Sequence, residues 1–370
     1  MTQDRPLRIL HLTAGSDAGG VSRYLFDLCR AMHEAGHHVA IAGERAVWHG
    51  LFQSAPWPWI EAPLKGGPLG LARAVKILRR YLADHPVDLF HAHYRKATLV
   101  ARRLQRTSPV PLLYTLHGSN IVMRGPWRWF SDFGDFVHVA STEGRQWLIE
   151  QTRFPAERIT VIPHGIDENQ FPLPDAQARK TLREELGLGE NHRAALFVGR
   201  MENTKNEDWM LDLAAAAREK SPNLRVLLVG NGPYESHLQR RIEREHLADR
   251  ARLLGWRQPL PLYHAADALL LPSPKEGFSL VCAEAMCAGL PVLRTRTSGT
   301  AELIVEGVTG KSVPIDQRAF VQAALEFMSD DASLVRMGRA AAQRIRENFT
   351  FSRQLQQTLE LYRRLATVTP

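Results

Sequence analysis

The chain has 370 residues, with 47 basic against 39 acidic side chains, a net charge of +8 and a pI near 9.6. Its 44% apolar and 23% charged content is that of an ordinary globular protein, which excludes a disordered, collagenous or membrane-embedded chain. One core rarely serves this length, so two domains are expected, and the surplus of cations favours polyanionic partners: nucleic acid, anionic lipid or a phosphorylated substrate.

Residues 1–6 are polar, and the LRILHLT run that follows is too short for a signal-peptide core and carries Arg8 and His11. No later stretch reaches bilayer-spanning length, so a cytoplasmic protein is expected. Cys29, Cys282 and Cys287 form no CxxC pair and read as buried thiols.

Residues 7–13 alternate into a strand, AGSDAGG is a loop ending in Gly19 and Gly20, VSRYLFDLCRAMHEAG is an amphipathic helix ending at Gly36, and HHVAIAG is the next strand. This is the opening of a doubly wound parallel α/β domain, whose loops at the carboxyl edge bind ligands. The glycine spacing is not GxGxxG, which disfavours a dinucleotide cofactor. VDLFHAH, PLLYTLHG and FVHVAS continue the strands, with a helix over KATLVARRLQR, and RITVIPHGID is the approach to a boundary. His91 and His93 share a strand face, which suits a metal only with a third ligand. The sequence places none, and satisfied strand-end histidines are the other reading. Ten basic residues against two acidic ones fall between Lys65 and Arg106, with Trp57, Trp59, Trp127 and Trp129 nearby. That composition suits either a face resting on anionic lipid or solvated helices over core tryptophans.

FPLPD, residues 171–175, reads as a hinge. The alternation then restarts through AALFVGR, a helix over NEDWMLDLAAAAREK, LRVLLVGNG, a helix over YESHLQRRIEREH, and ARLLGW, giving a second doubly wound domain. Arg200 and Lys205 follow its first strand as a pair of cations suited to a diphosphate, with a solvated surface pair as the other reading. LLVGNGPY is a glycine turn, and Ser298, Gly299 and Thr300 form a further candidate phosphate nest. Leu269, Leu270 and Leu271 read as a buried strand leading through PSPK to a helix from about Phe278 to Gly289, so Glu276 and Gly277 stand at an open helix amino end. Glu284 is two turns on. Carboxylates repel phosphate, so the pair suits gripping hydroxyls better than acid–base hydrolysis. Helices follow from Asp316 to the end of the chain.

EGFSLVCAE, with Glu276 and Glu284 separated by seven residues, resembles the Glu-x7-Glu signature of the retaining GT-B glycosyltransferases of family 4. The resemblance extends in order through the Gly19–Gly20 loop, HAH, TLHG, VIPHGID, FVGRMENTKNE and the glycine turn. It departs at His164, where relatives carry asparagine, and at Asn206, where they carry glycine. It implies two Rossmann-like domains, residues 1–170 for the acceptor and 171–350 for the donor, with residues 351–370 crossing back. It implies a metal-independent hexosyltransferase with no cofactor. The donor would be a nucleotide diphosphate sugar, UDP-sugar favoured and GDP-mannose second, and the acceptor a glycan or lipid-linked hydroxyl in bacterial surface glycan, lipopolysaccharide or glycolipid synthesis. Docking at the inner face of the cytoplasmic membrane goes with such acceptors; a nucleic-acid partner does not. By the same resemblance His117 covers the donor sugar, Glu276 holds its hydroxyls, and Arg200 and Lys205 neutralise the leaving diphosphate. Gly19 and Gly20 approach the diphosphate, Trp256 and Arg257 meet the base, Gly277, Phe278, Ser279 and Leu280 hold sugar and diphosphate through their backbone, and Glu284 takes the ribose. An epimerase or phosphorylase on the same fold, and a basic nucleic-acid binder, are the alternatives.

Overall fold

The computed structural model describes residues 5–15, 20–46, 49–118 and 131–368. The chain forms two compact units: unit 1 is Met1–His164 with Ser352–Pro370, and unit 2 is Gly165–Phe351.

Unit 1 runs β1 (Arg8–Gly15), α1 (Gly20–Glu34), β2 (His38–Glu44), α2 (His49–Gln53), β3 (Trp59–Glu61), α3 (Pro68–Asp84), β4 (Leu89–Ala92), α4 (Arg95–Leu104), β5 (Leu112–Leu116), β6 (Phe136–Val139), α5 (Thr142–Thr152) and β7 (Ile159–Val161). Its seven strands pair in parallel in the order β3-β2-β1-β4-β5-β6-β7. A parallel sheet is covered on both faces, which is why its strands read as near-continuous apolar runs. Leu10 and Leu12 of β1 pack with Val75 and Leu78 of α3 and Val100 of α4. Leu7 and Ile9, on the other side of the pleat, pack with Leu25 and Leu28 of α1. Gly36, at φ +83°, closes the turn after α1 in the left-handed region that favours glycine.

Unit 2 runs α6 (Ala176–Glu185), β8 (Arg193–Val198), α7 (Asp208–Lys220), β9 (Leu224–Val229), α8 (Glu235–Arg244), β10 (Ala251–Leu253), α9 (Pro259–Ala265), β11 (Ala268–Leu271), α10 (Leu280–Cys287), β12 (Val292–Thr295), α11 (Thr300–Leu303), β13 (Gly310–Val313), α12 (Gln317–Phe327) and α13 (Asp331–Asn348). Its six parallel strands are ordered β10-β9-β8-β11-β12-β13. Asp175, Asp316 and Asp330 cap α6, α12 and α13 by accepting a backbone N–H of the first turn, each contributing about 1 kcal/mol. The chain enters and leaves this unit side by side. The Ile166 N–H donates to Phe349 O (2.8 Å), and the Phe351 N–H donates to Ile166 O (2.9 Å). Cys29, Cys282 and Cys287 are buried free thiols, as their spacing implies. Among the described residues no helix is long and apolar enough to cross a membrane.

α14 (Phe351–Ala366) returns to unit 1, where Leu359, Tyr362 and Leu365 join the α1 side of the core. Its buried tyrosine ends a chain of polar contacts through the interior. Tyr362 Oη lies 2.6 Å from His91 Nδ1, His91 Nε2 lies 2.6 Å from Thr115 Oγ1, Thr115 Oγ1 lies 3.0 Å from His138 Nδ1, and His138 Nε2 lies 2.8 Å from Ile162 O. The terminal carbonyl fixes every proton. A carbonyl only accepts, so His138 Nε2 carries hydrogen and its Nδ1 accepts from Thr115. The threonine oxygen then accepts from His91 Nε2–H, and His91 Nδ1 accepts from the Tyr362 hydroxyl. Burial pushes His138 down to about 4 and His91 well below its ordinary value, so both rings are neutral, as this pattern requires. Tyr362→Phe leaves a buried lone pair without its donor and is expected to lower stability by about 1–3 kcal/mol. Urea unfolding measures this, and an unchanged midpoint would remove the bond.

Candidate functional site

In a doubly wound sheet the ligand crevice opens where the strand order reverses, outside the carboxyl ends of the flanking strands. In unit 2 those strands are β8 and β11. β8 leads into residues 199–207 with Arg200 and Lys205; β11 leads into residues 272–279 with Glu276, Gly277, Phe278 and Ser279. The two segments meet in an ion pair, Lys205 Nζ to Glu276 Oε1 at 2.5 Å, with side chains 27% and 13% exposed. Partial shielding from water makes such a pair stronger than one on an open surface.

The cation loop is held from several sides. Glu207, 0% exposed, accepts the Glu202 N–H at 2.9 Å and the Lys205 N–H at 3.2 Å. Asn206 sits at φ +55° and its amide donates to Pro272 O at 2.9 Å, tying the β8 exit to the β11 exit. Asparagine tolerates the left-handed region, so the departure from glycine is accommodated, and the side chain adds a tie that glycine lacks. Beneath the loop runs the glycine turn, where Met201 N–H donates to Asn231 O (3.1 Å) and Tyr234 N–H to Met201 O (2.9 Å). A Cβ at Gly230 would stand 1.8 Å from Gly199 O, and one at Gly232 2.1 Å from Met201 O. These glycines therefore admit a close backbone approach as well as turning the chain. Arg200 is mostly exposed and pairs with Glu202, not with Glu276.

Ser279 is the N-cap of α10 and its side chain caps no backbone N–H of the helix, so the first turn from Leu280 keeps its donors and its positive dipole end. Phe278 is buried, its ring centroid 5.7 Å from that of Phe349. Glu284 is half-buried and accepts from Tyr263 Oη at 3.1 Å. Burial and the Glu284 charge push the Tyr263 phenol far up, which keeps it a donor. Trp256 (67% exposed) and Arg257 follow the edge strand β10, away from the ion pair along the sheet order, and Arg257 Nε donates to Leu254 O at 3.2 Å.

His117 and Gly20 belong to unit 1, where the strand order reverses between β1 and β4. Gly20 opens α1; Gly19 lies outside the described residues. The strand pairing sets His11 directly beside His91 and supplies the third imidazole that the sequence does not place. His11, His91 and His93 are buried, each with a nitrogen within 4.8 Å of the others. Those nitrogens bond mainly to the protein: His11 Nδ1 meets His93 Nε2 at 3.1 Å, His93 Nδ1 meets His117 Nε2 at 3.1 Å, and both His91 nitrogens serve Tyr362 and Thr115. Of the trio His11 Nε2 alone lacks a partner among the described residues, and the group contains no anionic ligand to offset a buried dication. Burial, with His164 and His138 beside it, holds the His117 pKa well below the ordinary value, so its ring is neutral. His164 is buried against Tyr24, ring centroids 4.7 Å apart, with its pKa pushed down to about 3.

The basic run occupies α3 and α4. Arg73, Lys76, Arg79, Arg80, Lys96 and Arg103 face solvent, whereas Arg102 is bound to Asp132 and Asp135. Trp57 is a core residue against Phe26, and Trp59 is half-buried against Phe52. Trp127 and Trp129 lie outside the described residues.

Two family models match the chain. Glycosyltransferase Family 4 covers residues 18–170, and Glycosyl transferases group 1 covers residues 178–344. Among curated proteins, the D-inositol 3-phosphate glycosyltransferase of Corynebacterium glutamicum is 29% identical over 327 residues, 81% of this chain and 76% of that protein. The protein of the same name from Thermobispora bispora is 29% identical over 395 residues, 94% of this chain and 90% of its own. Among solved structures, HepE of Anabaena in complex with UDP superposes with a TM-score of 0.84 at 22% identity, covering 96% of this chain and 99% of that one. Sucrose-phosphate synthase of Thermosynechococcus elongatus does so at 0.81 and 23%, covering 97% and 99%. These likenesses are of fold, the two-sheet GT-B architecture described above. With both halves matched in order, the chain belongs to the family 4 glycosyltransferases.

Proposed function

We propose that the protein is a metal-independent retaining hexosyltransferase. It takes a sugar from a nucleoside diphosphate donor, UDP-sugar in first place and GDP-mannose in second, and passes it to an acceptor hydroxyl in bacterial surface glycan or glycolipid synthesis. The Lys205–Glu276 ion pair at the switch point of unit 2 carries this reading. A carboxylate that grips sugar hydroxyls and an ammonium that faces phosphate are adjacent there, in front of a helix amino end. In this reading Glu276 holds hydroxyls of the donor sugar and Glu284 those of the ribose. The backbone of Gly277, Phe278, Ser279 and Leu280 receives sugar and diphosphate, Gly19 and Gly20 are assigned to the diphosphate, and Trp256 and Arg257 to the base. His117, held neutral by burial, is assigned to the donor sugar as a hydrogen-bonding group. Arg200 and Lys205 offset the charge that grows on the departing diphosphate, the contribution a metal ion makes in other enzymes.

No carboxylate is assigned as nucleophile. The acceptor oxygen attacks on the face the diphosphate leaves, the bond from the anomeric carbon to the phosphate oxygen breaks, and that oxygen takes the acceptor proton. An anionic acceptor, either a phosphorylated sugar or a lipid head group, suits the exposed cations of α3 and α4.

Thermal unfolding in the presence of UDP-, GDP- and ADP-sugars tests the donor. A ligand at a hundred times its Kd stabilises the native state by about 2.7 kcal/mol, so one of the three families should raise the midpoint clearly. No shift from any of them, or release of nucleoside diphosphate that does not depend on an acceptor, would defeat the transferase reading. Salt-sensitive sedimentation with anionic vesicles would assign the acceptor to the lipid class; its absence assigns it to the soluble one.

A further inference from the structure

Arg294, in β12, is the largest fully buried side chain among the described residues. Among the described residues its guanidinium has no carboxylate partner. Nη2 donates to Thr297 Oγ1 at 2.5 Å and reaches Ser298 O at 3.5 Å, while Nε and Nη1 have no hydrogen-bond partner among the described residues. A cation taken out of water is costly unless an opposite charge joins it, and bound protein groups supply none here.

Its surroundings indicate what does. The turn it supports, residues 297–300, is packed on the segment that carries Glu276: a Cβ at Gly299 would stand 2.5 Å from Gly277 O and 2.9 Å from Phe278 Cα. Thr295, the next residue of the strand, donates its hydroxyl to Ser273 O at the β11 exit. The buried Cys282 thiol in the first turn of α10, pushed up by burial, is acted on by the charges of Arg294, Glu276 and Lys205 together. The unpartnered cation thus belongs to a strand and turn packed on the segment that carries Glu276, close enough to share the Cys282 thiol with Glu276 and Lys205.

We propose that Arg294 is a buried positive charge kept without a protein counter-ion so that the diphosphate of a nucleoside diphosphate donor becomes its counter-ion when it binds. Arg294 does not touch the ligand. It is a positioning residue, acting through the 297–300 turn and through the field of a charge in a poorly screened interior. This assignment rests on the donor site proposed above, and it adds a third cation, invisible at the surface, to Arg200 and Lys205.

Such a charge costs stability in the empty protein and returns it as affinity, which separates it from a structural arginine. Arg294→Met, close in volume and uncharged, is expected to leave the melting temperature of the ligand-free protein equal to or above that of the wild type. Calorimetric titration should show UDP binding roughly tenfold or more weaker, with uridine binding unchanged, because only the phosphates feel the field. Arg294→Lys, which keeps the charge, should restore UDP affinity to within about threefold of wild type. Loss of folding or a lowered melting temperature in Arg294→Met would overturn the proposal, as would equal weakening of UDP and uridine, or UDP binding like that of the wild type. If the wild type itself binds neither UDP, GDP nor ADP, the donor-site reading fails and this inference fails with it.

Discussion

Lys205→Ala is expected to lower the rate of sugar transfer by roughly tenfold to a thousandfold, the range for removing one preorganised charge from a developing anion. Two effects add. The ammonium that we propose faces the leaving diphosphate disappears, and Glu276, 13% exposed and 2.5 Å from that ammonium in the native protein, is left as an uncompensated carboxylate at the proposed diphosphate site. Part of the loss should therefore be recovered when Glu276→Gln is added to Lys205→Ala, even though Glu276→Gln alone impairs use of the sugar. The coupling is a double-mutant cycle on initial rates at saturating acceptor. Turnover of Lys205→Ala within about twofold of wild type would take the lysine out of the mechanism.

Unit 1 is expected to lose stability steeply below about pH 6.5. Burial holds His11 at about 3, His138 at about 4 and His164 at about 3, and pushes His91 and His93 well below the ordinary value. The sign follows from the depressed native values: the unfolded chain binds protons first as the pH falls, so stability is complete above the unfolded pKa near 6.5 and is lost on the way down to the native values. Each imidazole contributes a slope approaching 1.4 kcal/mol per pH unit once well below 6.5, and a few acting together rival the whole stability of a domain, about 5–15 kcal/mol, within two units. Urea midpoints at pH 8, 6.5 and 5.5 provide the measurement. A midpoint constant over that interval would mean that these rings take up protons in the folded state as easily as in the unfolded one.

The two sheets are legible in the sequence because a parallel strand buried on both faces reads as an apolar run whatever surrounds it. The Leu269–Leu271 run and the glycine and proline that end α10 are of this kind. α3 is less visible: its stripe of Ala74, Val75, Leu78 and Leu82 is interleaved with four cations, and the charge draws attention away from the period. What escapes sequence reasoning depends on strand order. His11 and His91 are 80 residues apart and become direct neighbours only because β4 pairs with β1. Glu207 reads as an ordinary acidic residue ahead of a helix, and only its complete burial shows that it holds the cation loop. Arg294 in LRTRTSG looks like the polar end of a strand; nothing local separates it from Arg296, which bonds Ser312 at the next strand. Asn206 is the exception, since asparagine is a residue expected to hold a left-handed backbone where a glycine is missing.

The side-by-side entrance and exit of unit 2 bear on the order in which the chain assembles. Unit 1 is discontinuous, because its last helix follows all of unit 2 in sequence. Were residues 165–351 unstructured, bringing α14 to its place would mean closing a very long loop, whose entropy cost rises with the logarithm of length. Once unit 2 is folded, the hydrogen bonds of Ile166 with Phe349 and Phe351 hold the two ends together. α14 is then tethered beside its docking face as if by a few residues. Completion of the unit 1 core, including the Tyr362 donor to His91, is thereby expected to come late in folding, waiting on a domain in which it has no part.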